Sequence, residues 1–117
     1  MKSPYTLKKN KDFLFVYSRG RSVSCPLMSL VYVKSGDKET RNGFSVGRKT
    51  GKSVVRNQIK RRLREAYKKI RPDIRTGYDL VFVAKEPLAH SDYWQIEETM
   101  RSLLVRVGLL GQPGDDK

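Results

Sequence analysis

Apolar residues recur at helical spacing in three stretches of the chain. In the first stretch Phe13, Val16 and Tyr17 stand at positions i, i+3 and i+4, which lie on one face of a helix. Residues that cap or end helices bound each stretch, and Pro72 disfavours helical geometry beyond the second. The predicted helices run from Asn10 to Gly20, from Ser53 to Ile70 and from Ser91 to Gly108. The third carries Trp94, Ile96, Met100, Leu103, Leu104 and Val107.

Between these stretches the pattern favours strands. Residues 22–34 are rich in apolar and β-branched residues, and a second strand is expected at about 41–48. The polar run at 35–39 predicts a hairpin turn between them. Residues 78–84 are almost continuously apolar, which is typical of a central strand buried on both faces.

The predicted order of elements is α-β-β-β-α-β-α, which indicates an α+β fold. At 117 residues the chain is expected to form one domain, over residues 1–110, with a flexible tail at 111–117. The expected architecture is a single-domain α-β sandwich with helices packed on a central four-stranded sheet.

The second helix separates apolar from basic residues along its length. At 100° per residue, one arc carries Val55, Ile59, Leu63, Ala66, Tyr67 and Ile70, which we expect to face the sheet. The adjacent arc carries six residues that we call the basic ridge: Arg56, Asn57, Lys60, Arg61, Arg64 and Lys68. Three like-charge pairs at i, i+4 on this ridge cost a few tenths of a kcal/mol each. This repulsion does not help the protein to fold, whereas a bound polyphosphate would relieve it and so gain binding free energy.

The charge of the whole chain is concentrated around this helix. The formal net charge is +13, and residues 41–75 carry 13 basic and 2 acidic side chains, a local net of +11. We therefore expect a nucleic acid or another polyanion as partner. No window approaches the roughly 18–20 apolar residues of a membrane span. Cys25 is the single cysteine, so no intrachain disulfide is possible, and a cytoplasmic protein is expected.

RNA is favoured over DNA as the partner. No dimerising heptad follows the basic helix, and no second helix stands just upstream as in a helix-turn-helix. Phe13 and Tyr17, one turn apart in the first helix, are candidates for stacking on unpaired bases. Their spacing alone is equally compatible with ordinary core packing.

Two features suggest nucleotide binding or catalysis, but neither has the residues that such a site requires. The string GRKTGKS at 47–53 has three residues between its glycines, where a phosphate-binding P-loop needs four. Arg48, Lys49 and Lys52 are instead expected to extend the basic ridge. His90, the single histidine, has no nucleophile or metal-ligand cluster around it, and a capping or surface role is expected.

The segment at 43–65 closely resembles the signature of the bacterial ribonuclease P protein subunit, approximately G-x-x-V-x-K-K-x-G-x-A-V-x-R-N-x-x-K-R-x-x-R. Arg48 replaces a usual Lys and Ser53 a usual Ala. The opening LKKNKDFLFVYSRGRSV and the later YDLVFVAKEP also match the family. The matching signature positions are Gly43, Val46, Lys49, Gly51, Val54, Arg56, Asn57, Lys60, Arg61 and Arg64.

The resemblance implies a protein that assists a ribonucleoprotein in removing the 5′ leader of precursor tRNA. The RNA subunit would carry the active site and most of the required Mg²⁺, and the β-α-β crossover of the fold would be left-handed. Arg56, Asn57, Lys60, Arg61 and Arg64 would meet the RNA subunit, and Lys49 would contact a phosphate.

The resemblance also implies a leader-binding cleft lined by Phe13 and Tyr17. A third aromatic is usual near Val31, but here Val31 is aliphatic. Tyr32 is the nearest candidate, although strand alternation points it to the opposite face.

The expected partners are the ribonuclease P RNA and precursor tRNA, with no DNA or membrane, in a 1:1 complex with a monomeric protein. The main alternative is a ribosome-associated or RNA-assembly protein of related fold that takes part in no cleavage. A stand-alone nuclease is a more distant alternative, because no catalytic cluster is visible.

Overall fold

The structure is a computed structural model that describes residues 7, 10–35 and 40–110. Residues 36–39 of the predicted turn at 35–39, and the predicted tail at 111–117, lie outside these residues. The order α-β-β-β-α-β-α is confirmed. The elements are α1 (Asn10–Arg19), β1 (Arg21–Ser24), β2 (Met28–Lys34), β3 (Arg41–Val46), α2 (Ser53–Ile70), β4 (Tyr78–Ala84) and α3 (Tyr93–Arg106), with 3-10 turns at Arg48–Thr50, Arg71–Asp73 and Glu86–His90.

The four strands form one mixed sheet in the order β1-β2-β4-β3. The last strand pairs antiparallel with β2 and parallel with β3, and α2 provides the crossover between β3 and β4. The predicted hairpin between residues 22–34 and 41–48 is therefore wrong, because β4 inserts between β2 and β3. The physical reason is the apolar composition of β4, whose Leu80, Val81 and Phe82 are fully buried only in the middle of the sheet.

The strand-like segment 22–34 is divided near Pro26. Cys25 donates its backbone N–H to the carbonyl of Met28 at 2.9 Å, which closes a tight connection between β1 and β2. The two strands pair antiparallel, with Arg21 opposite Tyr32. Proline has no N–H for a ladder, so the chain turns there.

The sheet separates two apolar layers. On one face α2 and α3 cover the main core, which includes Met28, Leu30, Ile59, Leu63, Phe82, Ile96 and Met100. On the other face α1 covers a smaller cluster of Leu7, Val16 and Val81, with Phe13, Val31, Val33 and Val83 packed against it. The buried Asp79 accepts two hydrogen bonds from Arg41, at 3.0 and 2.8 Å, and the two residues are partners in the β3–β4 register.

Three details at the helix ends differ from the sequence prediction. Lys52, not Ser53, is the N-cap of α2, and Asn10 is the first helical residue of α1. Asp92, not Ser91, caps α3, and it forms a capping box with Gln95. The carboxylate of Asp92 accepts from the Gln95 N–H at 2.9 Å, and Ser91 is buried.

Most of the apolar residues on α3 face the core. Ile96, Met100, Leu103 and Leu104 are buried, and Val107 is half-buried at the C-cap. Trp94, by contrast, is 68% exposed.

Candidate nucleic-acid interface

An aromatic cleft lies between α1 and the first half of α2, beside β3, which is an outer strand of the sheet. Its volume is about 510 Å³. Phe13 and Tyr17 stand side by side on the α1 wall, with ring centroids 6.5 Å apart, and Tyr17 is 42% exposed. Lys60 of α2 lines the same cleft and brings a cation to the aromatic wall. The residues that define the aromatic cleft are Phe13, Leu14, Tyr17, Phe44, Ser45, Val46 and Lys60.

Gly43 in β3 allows the close approach of α1 that places Phe13 in the cleft wall. A Cβ atom at this position would stand 2.6 Å from the Phe13 Cζ and 3.3 Å from the Leu7 Cβ. The backbone of β3 is also tied to the N-terminal segment, because the Leu7 N–H donates to the Asn42 carbonyl at 2.7 Å. Any larger residue at 43 would therefore displace the Phe13 ring.

Phe44 is a cleft residue that the sequence analysis did not identify. Its ring stacks on Phe82 and meets Tyr67 edge to face, each at a centroid distance of 6.0 Å. These contacts fix Phe44 from the side of the main core, while its outer part lines the cleft. The signal that could have identified it is its position inside the matching signature, directly after Gly43.

Tyr32 lies outside the aromatic cleft. It packs against the main core on the α2–α3 face of the sheet, whereas Phe13 packs on the α1 face. Side chains alternate between the two faces of a strand, so Val31 and Val33 turn towards α1 and Tyr32 turns away. The cleft therefore has Phe13, Tyr17 and Phe44 as its aromatic residues among those described.

The basic ridge occupies the face of α2 that the core leaves open. The buried residues of α2 are Ile59, Leu63, Ala66, Tyr67 and Ile70, and Val55 is half-buried, as the wheel predicts. Arg56 and Lys60 are half-buried, whereas Asn57, Arg61, Arg64 and Lys68 are exposed. None of these side chains forms an ion pair with another described residue. The positive charge of the ridge's five Lys and Arg residues is therefore available to a polyanion.

Tyr67 lies on the buried side of α2, the helix that carries this ridge. Burial raises the pKa of the Tyr67 hydroxyl well above its ordinary value, and the charge of Arg71 opposes the shift only in part. The hydroxyl oxygen is buried and has no hydrogen-bond partner among the described residues. The ring is held by edge-to-face contacts with Phe44 and Phe82, both at 6.0 Å. Tyr67 thus links the ridge helix to the aromatic cleft through packing.

The segment GRKTGKS connects β3 to α2 through a 3-10 turn. Within it, the Thr50 N–H donates to Gly47 and the Gly51 N–H to Arg48, at 3.1 and 3.2 Å. These donors are used inside the turn, which agrees with the rejection of a P-loop. Arg48, Lys49 and Lys52 are exposed and continue the positive surface from the ridge towards β3.

The described part of the chain contains no group of three or more His, Cys, Asp or Glu side chains that could hold a metal ion. His90 is exposed at the end of the Glu86–His90 turn. Within the described residues, no helix has the length and apolar character needed to cross a membrane.

The fold and this surface define a small basic α+β protein in which a cationic helix lies beside an aromatic cleft. A family model described as Ribonuclease P matches residues 1–108. The chain belongs to this ribonuclease P protein family. It is a protein subunit of ribonuclease P, which acts in the maturation of the 5′ end of tRNA.

Curated relatives match over most of their length. The ribonuclease P protein component of Caldanaerobacter subterraneus is 40% identical over 103 residues, which cover 88% of this chain and 89% of that protein. The component of Clostridium botulinum strain 657 is 42% identical over 104 residues, covering 88% and 94% respectively.

Solved structures of similar proteins share the fold. The ribonuclease P protein of Staphylococcus aureus superposes with a TM-score of 0.85 at 29% identity, covering 93% of this chain and 100% of that chain. The protein from Thermotoga maritima gives a TM-score of 0.79 at 30% identity, with coverages of 86% and 96%.

Proposed function

We propose that the basic ridge binds the RNA subunit of ribonuclease P while the aromatic cleft holds the 5′ leader of precursor tRNA. The observation that carries this proposal is the position of Lys60, which belongs to the ridge and also lines the cleft beside Phe13 and Tyr17. One RNA-binding surface therefore adjoins a stacking surface. The leader would enter the cleft next to the place where the RNA subunit is held.

The ridge would act chiefly through phosphate contacts. Arg56, Lys60, Arg64 and Lys68 follow one another at i, i+4, so their mutual repulsion is relieved when phosphates lie along the helix. Phosphate contacts position an RNA without reading its sequence. Arg48, Lys49 and Lys52 would extend these contacts past the N-terminus of the helix.

The cleft would hold the leader largely without regard to its sequence. Every base has a π-face, and stacking of one base on an aromatic side chain contributes about 1–3 kcal/mol. Tyr17 offers an exposed ring, and the half-buried Phe13 supports it. Precursor tRNA would then be favoured over mature tRNA, which has no leader to place in the cleft.

The chemistry of cleavage is assigned to the RNA subunit. This chain would serve as an accessory subunit, and Mg²⁺ required by the complex would be bound mainly by RNA. The same proposal has a monomeric protein in a 1:1 complex with the RNA, in the cytoplasm, with no role for DNA.

The experiment that tests the proposal is cleavage of a 5′-extended precursor tRNA at physiological Mg²⁺. Reactions would contain the protein alone, a bacterial ribonuclease P RNA alone, and both together. We expect efficient cleavage only with both. Cleavage by the protein alone would contradict the assignment of the chemistry to RNA. Tight RNA binding without rescue, and without preference for leader-bearing tRNA, would instead favour an RNA-assembly protein.

A further inference from the structure

A second aromatic and basic site lies at the other end of α2, where that helix meets the start of α3. Tyr93 and Trp94 form an edge-to-face pair with centroids 5.1 Å apart. The Lys69 ammonium lies 5.4 Å from the Tyr93 ring centroid and 5.3 Å from that of Trp94, within the range of cation–π attraction. Glu65 and Lys68 complete the lining. We call these five residues the Trp94 pocket.

The exposure of Trp94 is not explained by the fold. Its side chain is 68% exposed, while the core of α3 is supplied by Ile96, Met100, Leu103 and Leu104. Single exposed apolar residues are common on protein surfaces. Trp94, however, is grouped with the Tyr93 ring and the Lys69 ammonium, so its exposed indole belongs to a cluster of aromatic and cationic side chains.

The Trp94 pocket is continuous with the basic ridge but separate from the aromatic cleft. Lys68 belongs to the ridge and also lines the pocket, just as Lys60 belongs to the ridge and lines the cleft. The two lysines are eight residues apart, so about 12 Å of helix axis separates the sites. An RNA lying along the ridge would therefore reach the pocket at one end.

We propose that the Trp94 pocket binds an unpaired nucleotide of the ribonuclease P RNA by stacking its base on the Trp94 indole. This inference rests on the proposed binding of that RNA to the ridge. Two lysines against one glutamate leave the pocket with net positive charge, which suits the phosphates that flank a base. Two rings and two lysines offer too small an area for a stable protein interface, which needs about 1,000 Å² or more in total.

Because Trp94 is the single tryptophan of the chain, its fluorescence reports this site alone. The experiment titrates the protein with a bacterial ribonuclease P RNA and follows Trp94 emission, while anisotropy of the labelled RNA measures binding independently. We expect the emission to be quenched in step with binding. We also expect Trp94→Ala to weaken binding about five- to tenfold, Trp94→Phe to weaken it less, and both variants to melt as the wild type does.

The outcomes separate this inference from the proposed function. If anisotropy shows tight binding while Trp94 emission and the affinity of Trp94→Ala are unchanged, the pocket has no RNA contact and the inference is overturned alone. If no RNA binds, both proposals fail. If emission changes with protein concentration in the absence of RNA, the pocket is a contact between copies of the chain, and the inference is again overturned.

Discussion

Replacing Lys60 and Arg64 together tests whether the basic ridge contacts phosphates. The double variant Lys60→Ala, Arg64→Ala removes two cations one turn apart on α2. It also removes all three like-charge i, i+4 pairs of the ridge, those of Arg56 with Lys60, Lys60 with Arg64, and Arg64 with Lys68. The substitution should therefore lower the affinity for RNA, because two phosphate contacts are lost. It should raise the stability of α2, because the repulsion between its like charges is removed.

The size of each effect follows from the charges involved. Each phosphate contact contributes about 0.7 to the slope of log K against log salt for single-stranded nucleic acid, so two contacts contribute about 1.4. Between 50 and 200 mM salt, the wild type should then lose about sevenfold more affinity than the variant. Relief of three repulsive pairs is worth up to about 1 kcal/mol. Lost packing of the half-buried Lys60 stem offsets part of this gain.

The assay measures binding to a bacterial ribonuclease P RNA at four or more salt concentrations, together with the melting temperature of each protein. The control replaces Arg75 and Arg106 with Ala, which removes the same charge from two exposed residues off the ridge. We expect the ridge variant to have a shallower slope than this control and a melting temperature no lower than that of the wild type. Equal slopes for the two variants would refute the ridge as the phosphate-binding surface.

Three further predictions concern the residues that line and support the aromatic cleft. Tyr17→Ala should reduce the preference for leader-bearing over mature tRNA about fivefold or more without lowering the melting temperature, because the ring is 42% exposed and stacks on a base. Gly43→Ala should reduce the same preference, since its Cβ would stand 2.6 Å from Phe13 and push that ring from its place. Tyr67→Phe should leave stability at pH 7 equal or higher by an amount on the order of 1 kcal/mol, because a buried hydroxyl without a described partner is removed. Burial raises the pKa of Tyr67, so above its unfolded value of about 10 the unfolded state loses the proton more readily and folded stability falls as pH rises. Tyr67→Phe should therefore flatten the alkaline loss of stability.

Each of these predictions has a measurement that would contradict it. For Tyr17, the competing result is a lower melting temperature with an intact preference for the leader, which would indicate a structural ring. For Gly43, an unchanged leader preference in the Gly43→Ala variant would show that the close approach of α1 to β3 does not hold the Phe13 ring in its leader-binding place. For Tyr67, the test is the free energy of unfolding measured with denaturant between pH 7 and 11. If this free energy falls equally with pH in the wild type and in Tyr67→Phe, the hydroxyl titrates alike in the folded and unfolded states.

The local elements were predictable because they depend on residues close together in the chain. Helix α2 begins and ends where the apolar period and Pro72 place it, and its buried stripe and basic ridge follow from a repeat of 3.6 residues. The composition of β4 likewise identified a strand buried on both faces. The errors at Ser53 and Ser91 are shifts of one residue. Lys52 occupies the N-cap position of α2 without a side-chain capping bond, and Asp92 caps α3 through its carboxylate.

What the tertiary structure alone decided is which distant elements meet. The sequence by itself determined the elements, the ridge and the cation-rich composition of residues 41–75, because these depend on local periodicity and on counting charges. It did not determine that β4 would separate β2 from β3, that Phe44 would line a cleft with Phe13, or that Trp94 would face solvent beside Lys69. Those outcomes depend on contacts between residues far apart in the chain. Such contacts are decided only when the apolar faces of all the helices and strands are buried against one another in the folded protein.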